Sequence, residues 1–248
     1  MRTANPALNS KTFSGLGSLH DTADVMSLQG TVNKTALLAV LVLISSSWIW
    51  RMYYTSWNPA AIMPWMLVGV FGGFIVALIT IFKKQWAAFT APLYSILEGL
   101  FLGGISAIFE NQYPGIVIQA VSLTIGTLFC LLLAYRSGLI KATENFKLGV
   151  AAATGGIALI YLATLVLGIF GINMPFIHES GMIGIGFSLF VVTVAALNLV
   201  LDFDFIENGV AHGAPKFMEW YAAFGLMVTL VWLYIEILRL LAKLRGRR

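Results

Sequence analysis

The chain has 248 residues, of which 59% are hydrophobic, 10% are charged and 24 are glycine, and its mean hydropathy is +0.87. A soluble domain carries roughly 25% charged residues, so this chain lacks the polar side chains to cover a water-facing surface and reads as a membrane protein. Its net charge of +4 comes from Lys and Arg clustered in the first 34 residues, between Arg136 and Lys147 and in the last ten, a pattern that leaves no basis for nucleic-acid binding.

Residues 1–33 are rich in Ser, Thr, Asn and Gly and lack a continuous apolar run. They are expected to form a flexible cytosolic arm and not a cleaved secretory signal. Residues 34–242 hold seven apolar segments, at about 35–56, 61–82, 87–109, 115–134, 148–170, 181–206 and 217–242. Each approaches the roughly 20 helical residues that a bilayer core requires. Asn58-Pro59, Lys83-Lys84, Tyr113-Pro114-Gly115, the polar stretch from Arg136 to Lys147, Asn173-Met174-Pro175 and Gly213-Ala214-Pro215 separate them. Loops this short make neighbours antiparallel, and the expected fold is an all-α polytopic bundle of seven transmembrane helices with a basic tail at 243–248.

The distribution of Lys and Arg sets the orientation. With the N-terminus inside, Arg2, Lys11, Lys34, Lys83, Lys84, Arg136, Lys141, Lys147 and Lys216 are cytosolic, and Arg51 alone falls in an outer loop. Seven complete crossings place Arg239, Lys243, Arg245, Arg247 and Arg248 outside, against the rule; a re-entrant last segment would return them to the cytosol. Segment length and the dominance of first-helix charges favour seven spans.

Within the second and third segments, Gly69, Gly73, Gly99 and Gly103 carry the GxxxG spacing of close helix packing, expected within the same bundle. Glu98 lies deep in the third segment. An ionisable group there costs at least about 2.5 kcal/mol. Ser95 and Ser106 share its helical face, and two readings stand: a carboxyl hydrogen-bonded to a neighbouring helix, or a group on an ion or proton path. In the fourth segment Cys130, the sole cysteine, is expected to be a small core hydrophobe, so no disulfide or cysteine-based metal cluster is available. His20, His178 and His212 lie outside the apolar runs and do not pair at ligand spacing, so neither a metal nor a cofactor is expected.

The sixth segment ends in Asn198-Leu199-Val200-Leu201-Asp202-Phe203-Asp204-Phe205-Ile206-Glu207. Asn198 and Asp202 share a face, whereas Asp204 points about 200° away from Asp202. Asp202 is the internal candidate, and Asp204 and Glu207 are interfacial. In the hairpin of the last two segments Asp202 and Glu219 fall at similar depth, where a shared proton would make a pH gate. The other reading of Glu219 is stabilisation of the positive N-terminus of the last helix, with Lys216 nearby. Glu236 and Arg239 have the spacing of an intrahelical ion pair. No nucleophile, base and oxyanion set, phosphate loop or dinucleotide fingerprint occurs, so the chain is not expected to be an enzyme.

These segments, together with Asn5-Pro6-Ala7-Leu8-Asn9 ahead of Thr12-Phe13, the Leu93-Tyr94 to Gly103 block, Leu201-Asp202-Phe203 and the run from Leu233 to Leu241, resemble the Bax inhibitor-1 family, specifically its bacterial YccA-like branch. The resemblance implies a multi-pass protein of the bacterial inner membrane in which six helices surround a central seventh. It also implies a pH-sensitive leak for calcium controlled by paired aspartates on the sixth and seventh helices. Asp202 matches the first aspartate, while the second position falls on Thr229, which carries no charge. Glu219 is ten residues away, about 15 Å along a helix. The second segment also lacks the basic residue that resembles a latch in some relatives. Two functions are therefore expected: a calcium or proton leak using Asp202, Glu219 and Glu98, or a non-conducting interaction protein that uses its polar arm to modulate a membrane protease or stress response.

Overall fold

The computed structural model describes residues 25–171 and 181–246, and these form seven long helices. Arg2, Lys11, His20 and the rest of residues 1–24, Asn173, Pro175 and His178, and Arg247 and Arg248 lie outside the described residues. The helices are α1 (Leu28–Ser56), α2 (Pro59–Phe82), α3 (Ala87–Gln112), α4 (Ile116–Arg136), α5 (Glu144–Ile169), α6 (Met182–Ala211) and α7 (Met218–Gly246). Each is long and apolar enough to cross a bilayer.

Local chemistry sets their ends. Ser27, in an extended conformation, caps α1 by accepting from the Gly30 amide at 3.0 Å, and Asn58 caps α2 through Ala60 at 2.9 Å with Pro59 in the first turn. A single 3-10 turn, Lys84–Trp86, joins α2 to α3, and Thr143 caps α5. Gly115 precedes α4 at φ +80°, where a side chain would be strained. α1 starts at Leu28, seven residues before the expected position, because the cap is Ser27 and the polar Gln29, Asn33 and Lys34 lie inside the helix. α7 runs unbroken through 29 residues to Gly246, so the re-entrant alternative does not describe it, and residues 243–246 are helix rather than tail.

The chain divides into two compact units. Described residues 25–114 and 204–228 make one, in which α3 packs against α1 and α2. The GxxxG glycines serve this packing, as expected. A Cβ on Gly103 would lie 2.5 Å from the Ser46 carbonyl oxygen, and one on Gly69 would lie 2.6 Å from that of Leu97. Ser46 adds a 3.0 Å hydrogen bond from its hydroxyl to the Gly99 carbonyl. Ile49, Tyr53, Ile62, Leu100 and Ala107 form the core around these contacts.

Residues 115–171, 181–203 and 229–246 make the other unit, centred on Ile157, Val191 and Val194 with Tyr161, Phe187 and Trp232 packed against them. Among the helices, the apolar stretch of α7 is 56% buried and that of α5 only 11%. Phe74, Phe89, Leu133, Leu159 and Ile169 are exposed, as side chains that meet lipid must be. Cys130 is exposed as well, which corrects the expectation of a core position. In a membrane helix an apolar setting is as often lipid as protein interior.

Candidate functional site

The acids singled out in the sequence occupy distinct environments. Asp202 has 0% of its surface exposed and sits in a buried apolar run of Leu199, Val200, Leu201 and Phe203 on α6. Asn198, one turn earlier, is also buried; its side-chain amide donates at 2.8 Å to the Thr154 hydroxyl on α5 and at 2.8 Å to the Val194 carbonyl. Thr229 on α7 is buried. Asp204 is half-buried, with its main-chain carbonyl accepting from Asn208, and Glu207 is exposed.

Glu98 is half-buried on α3, where the Tyr94 hydroxyl donates to its carboxylate. One carboxylate oxygen lies 3.2 Å from where a Cβ on Gly73 would be, so the missing side chain on α2 makes room for it. Ser95 is fully buried and its hydroxyl oxygen has no hydrogen-bond partner among the described residues, while Ser106 is buried further along α3. The polar stripe read from the sequence therefore faces inward at Ser95 and Ser106.

Glu219, in the first turn of α7, is 0% exposed and is gripped by the start of α1. Oε1 accepts from the Ser27 amide at 2.9 Å and its hydroxyl at 2.8 Å, and Oε2 accepts from Lys34. Lys216 approaches Oε1 at 3.5 Å. A Cβ on Gly30 would run into the carboxylate where it now lies, so a side chain there would make Glu219 shift. The carboxylate thus lies at the positive ends of α1 and α7 together, and each of these partners is a donor that suits a charged acceptor. Lys34 also stands 5.3 Å over the Trp220 ring. Glu219 has the expected place in the first turn of α7 with Lys216 nearby; Ser27 and Lys34 could not be foreseen, because nothing in the sequence links positions 185 or more residues apart.

Glu236 on α7 is 1% exposed and makes the expected pair with Arg239 at 3.1 Å. The Tyr161 hydroxyl on α5 donates to Glu236 at 3.0 Å and accepts from Arg239 at 2.9 Å. One turn further, Lys243 donates to the Gly184 carbonyl at 3.1 Å and to the Ser188 hydroxyl at 2.8 Å, and Arg245 donates to Gln119 at 3.0 Å. In the sequence Lys243 and Arg245 carry only an orientation signal, and nothing there points to Tyr161, which closes the network.

Seven bilayer-length apolar helices with acids buried among them define a multi-pass helical membrane protein. The sequence profile of the family described as Bax inhibitor 1 like matches residues 5–246, and the chain belongs to this family. No curated protein and no solved structure matches it.

Proposed function

We propose that the protein is an ion leak for calcium or protons in the inner membrane of a bacterium, of the YccA-like branch, and that it responds to pH through Asp202. The observation that carries the reading is the complete burial of the Asp202 side chain in an apolar stretch of α6. A carboxylate in such a place is costly as an ion, so protonation or a bound cation changes which helix arrangement is favoured. Glu98, with Tyr94 bonded to it and Ser95 on the same helix, is the second group on or beside the path. The donors around Glu219 support a role as a clamp on the start of α1 in place of the proton shared with Asp202. In this reading the protein catalyses no reaction and holds no cofactor or resident metal.

The N-terminus lies in the cytosol. Seven crossings then put Arg239, Lys243 and Arg245 outside, where hydrogen bonds to Glu236, Ser188 and Gln119 hold their side chains within the protein. The test is purified full-length protein in liposomes loaded with a calcium indicator or a pH dye, read over a pH series. The leak reading expects a pH-dependent flux that Asp202→Asn and Glu98→Gln together alter. Absence of flux at every pH removes it.

A second reading has its own observation. The Met26 amide donates to the Ala214 carbonyl at 2.6 Å and Val25 bridges Pro215, so the exit of the N-terminal arm is tied to the α6–α7 turn beside the Glu219 clamp. A membrane protease holding the arm would pull on that clamp. Deleting residues 2–24 then abolishes recovery of the partner from detergent extracts while flux persists; unchanged recovery rejects this reading.

A further inference from the structure

We propose that Lys147 is the cation that faces Asp202 across the seam between α5 and α6 and holds its carboxylate in position. The inference rests on the reading of Asp202 as the gate, but its geometry stands separately. α5 is the most exposed of the seven helices, and its buried residues are Lys147, Val150 and Ile157, which lie on one stripe. Lysine is the residue least suited to such a stripe, yet Lys147 is only 3% exposed. Glu144, 3.4 Å away, is 70% exposed, and an ion pair with it alone would draw the ammonium outward to water.

The facing stripe of α6 runs Phe187, Val191, Val194, Asn198, Asp202, in steps of three and four. Three contacts fix the antiparallel register: Tyr161 with Phe187 at a ring separation of 6.2 Å, Ile157 with Val191 and Val194, and Thr154 with Asn198 at 2.8 Å. From the first contact, Lys147 is fourteen residues back along α5 and Asp202 fifteen residues on along α6. At 1.5 Å per residue the two levels differ by about 1.5 Å, and from the Thr154–Asn198 contact by about 4.5 Å. Either offset is within reach of the four-carbon lysine stem. The two stripes therefore end in opposite charges at one level, and Lys147 is a positioning residue for Asp202.

A double-mutant cycle in the full-length protein tests this. Lys147→Met and Asp202→Asn are each expected to lower the Tm in detergent by about 10 °C, because each strands a buried charge. The double mutant should be no less stable than the weaker single variant, and Lys147→Arg should recover most of the loss. In liposomes Lys147→Met should displace the pH profile of the flux, and Lys147→Arg should restore it. Losses that add in full, or a Lys147→Met protein with wild-type Tm and pH profile, overturn the proposal. If neither single variant can be purified folded, a folded double mutant supports the pair and an unfolded one rejects it. Coupled Tm values without flux from the wild type would remove the leak reading and keep the pair; flux with additive losses would do the reverse.

Discussion

Truncating Glu219 to Ala removes the acceptor of two hydrogen bonds from Ser27, at 2.9 and 2.8 Å, and the partner of Lys34. Breaking a buried ion pair from one side costs about 3–5 kcal/mol, and that figure already includes the hydrogen bonds of the same carboxylate. Lys34 keeps 18% of its side chain exposed and Lys216 keeps 52%, so both can turn to water once the acid is gone. The lower end, about 3 kcal/mol, is therefore expected, which for a chain of this size lowers Tm by about 6–12 °C. Glu219→Gln keeps the volume and an acceptor for Ser27 and should lose about half as much. Size-exclusion chromatography after heating in detergent reads the difference. The cycle is completed by Lys34→Met, whose loss should be largely absent in the Glu219→Ala background. A Glu219→Ala protein within about 2 °C of wild type would refute the clamp.

The glycines divide into a sensitive and an indifferent set. Gly103→Ala puts a Cβ 2.5 Å from the Ser46 carbonyl oxygen, so α1 and α3 must separate, and a loss of about 3 kcal/mol or of folded yield is expected. Gly126→Ala meets open space and should leave Tm unchanged or slightly raised in the same assay. Tyr161→Phe deletes the hydroxyl between Glu236 and Arg239 while their direct 3.1 Å contact survives. A loss of about 1.5 kcal/mol, or roughly 3–6 °C, is expected by thermal unfolding, and no change would show that the network adds nothing to stability.

Helix number and type were legible in the sequence because a bilayer demands long apolar runs, and seven such runs are hard to read otherwise. The ends were less so. Gln29, Asn33 and Lys34 look like arm, yet they lie in α1 because Ser27 caps the helix and Glu219 pulls Lys34 inward. Glu236 with Arg239 was readable since a three-residue spacing places both on one face, whereas Tyr161 and Ser27 were not, since their partners come from distant helices. Cys130 shows the limit of composition most directly, as it is exposed on α4 beside the exposed Phe129, Leu132 and Leu133. Lys147 carried a signal that was overlooked: it heads the Val150 and Ile157 stripe, although it reads as part of a cytosolic basic cluster.

Flux through liposomes holding wild-type or Asp202→Asn protein shows whether the buried Asp202 carboxylate governs ion passage. Wild-type vesicles should leak calcium or protons at a rate that changes across the pH series, and Asp202→Asn vesicles should leak at a rate that does not. Equal pH dependence in the two, with both proteins shown to be folded and inserted, would rule out Asp202 as the gate.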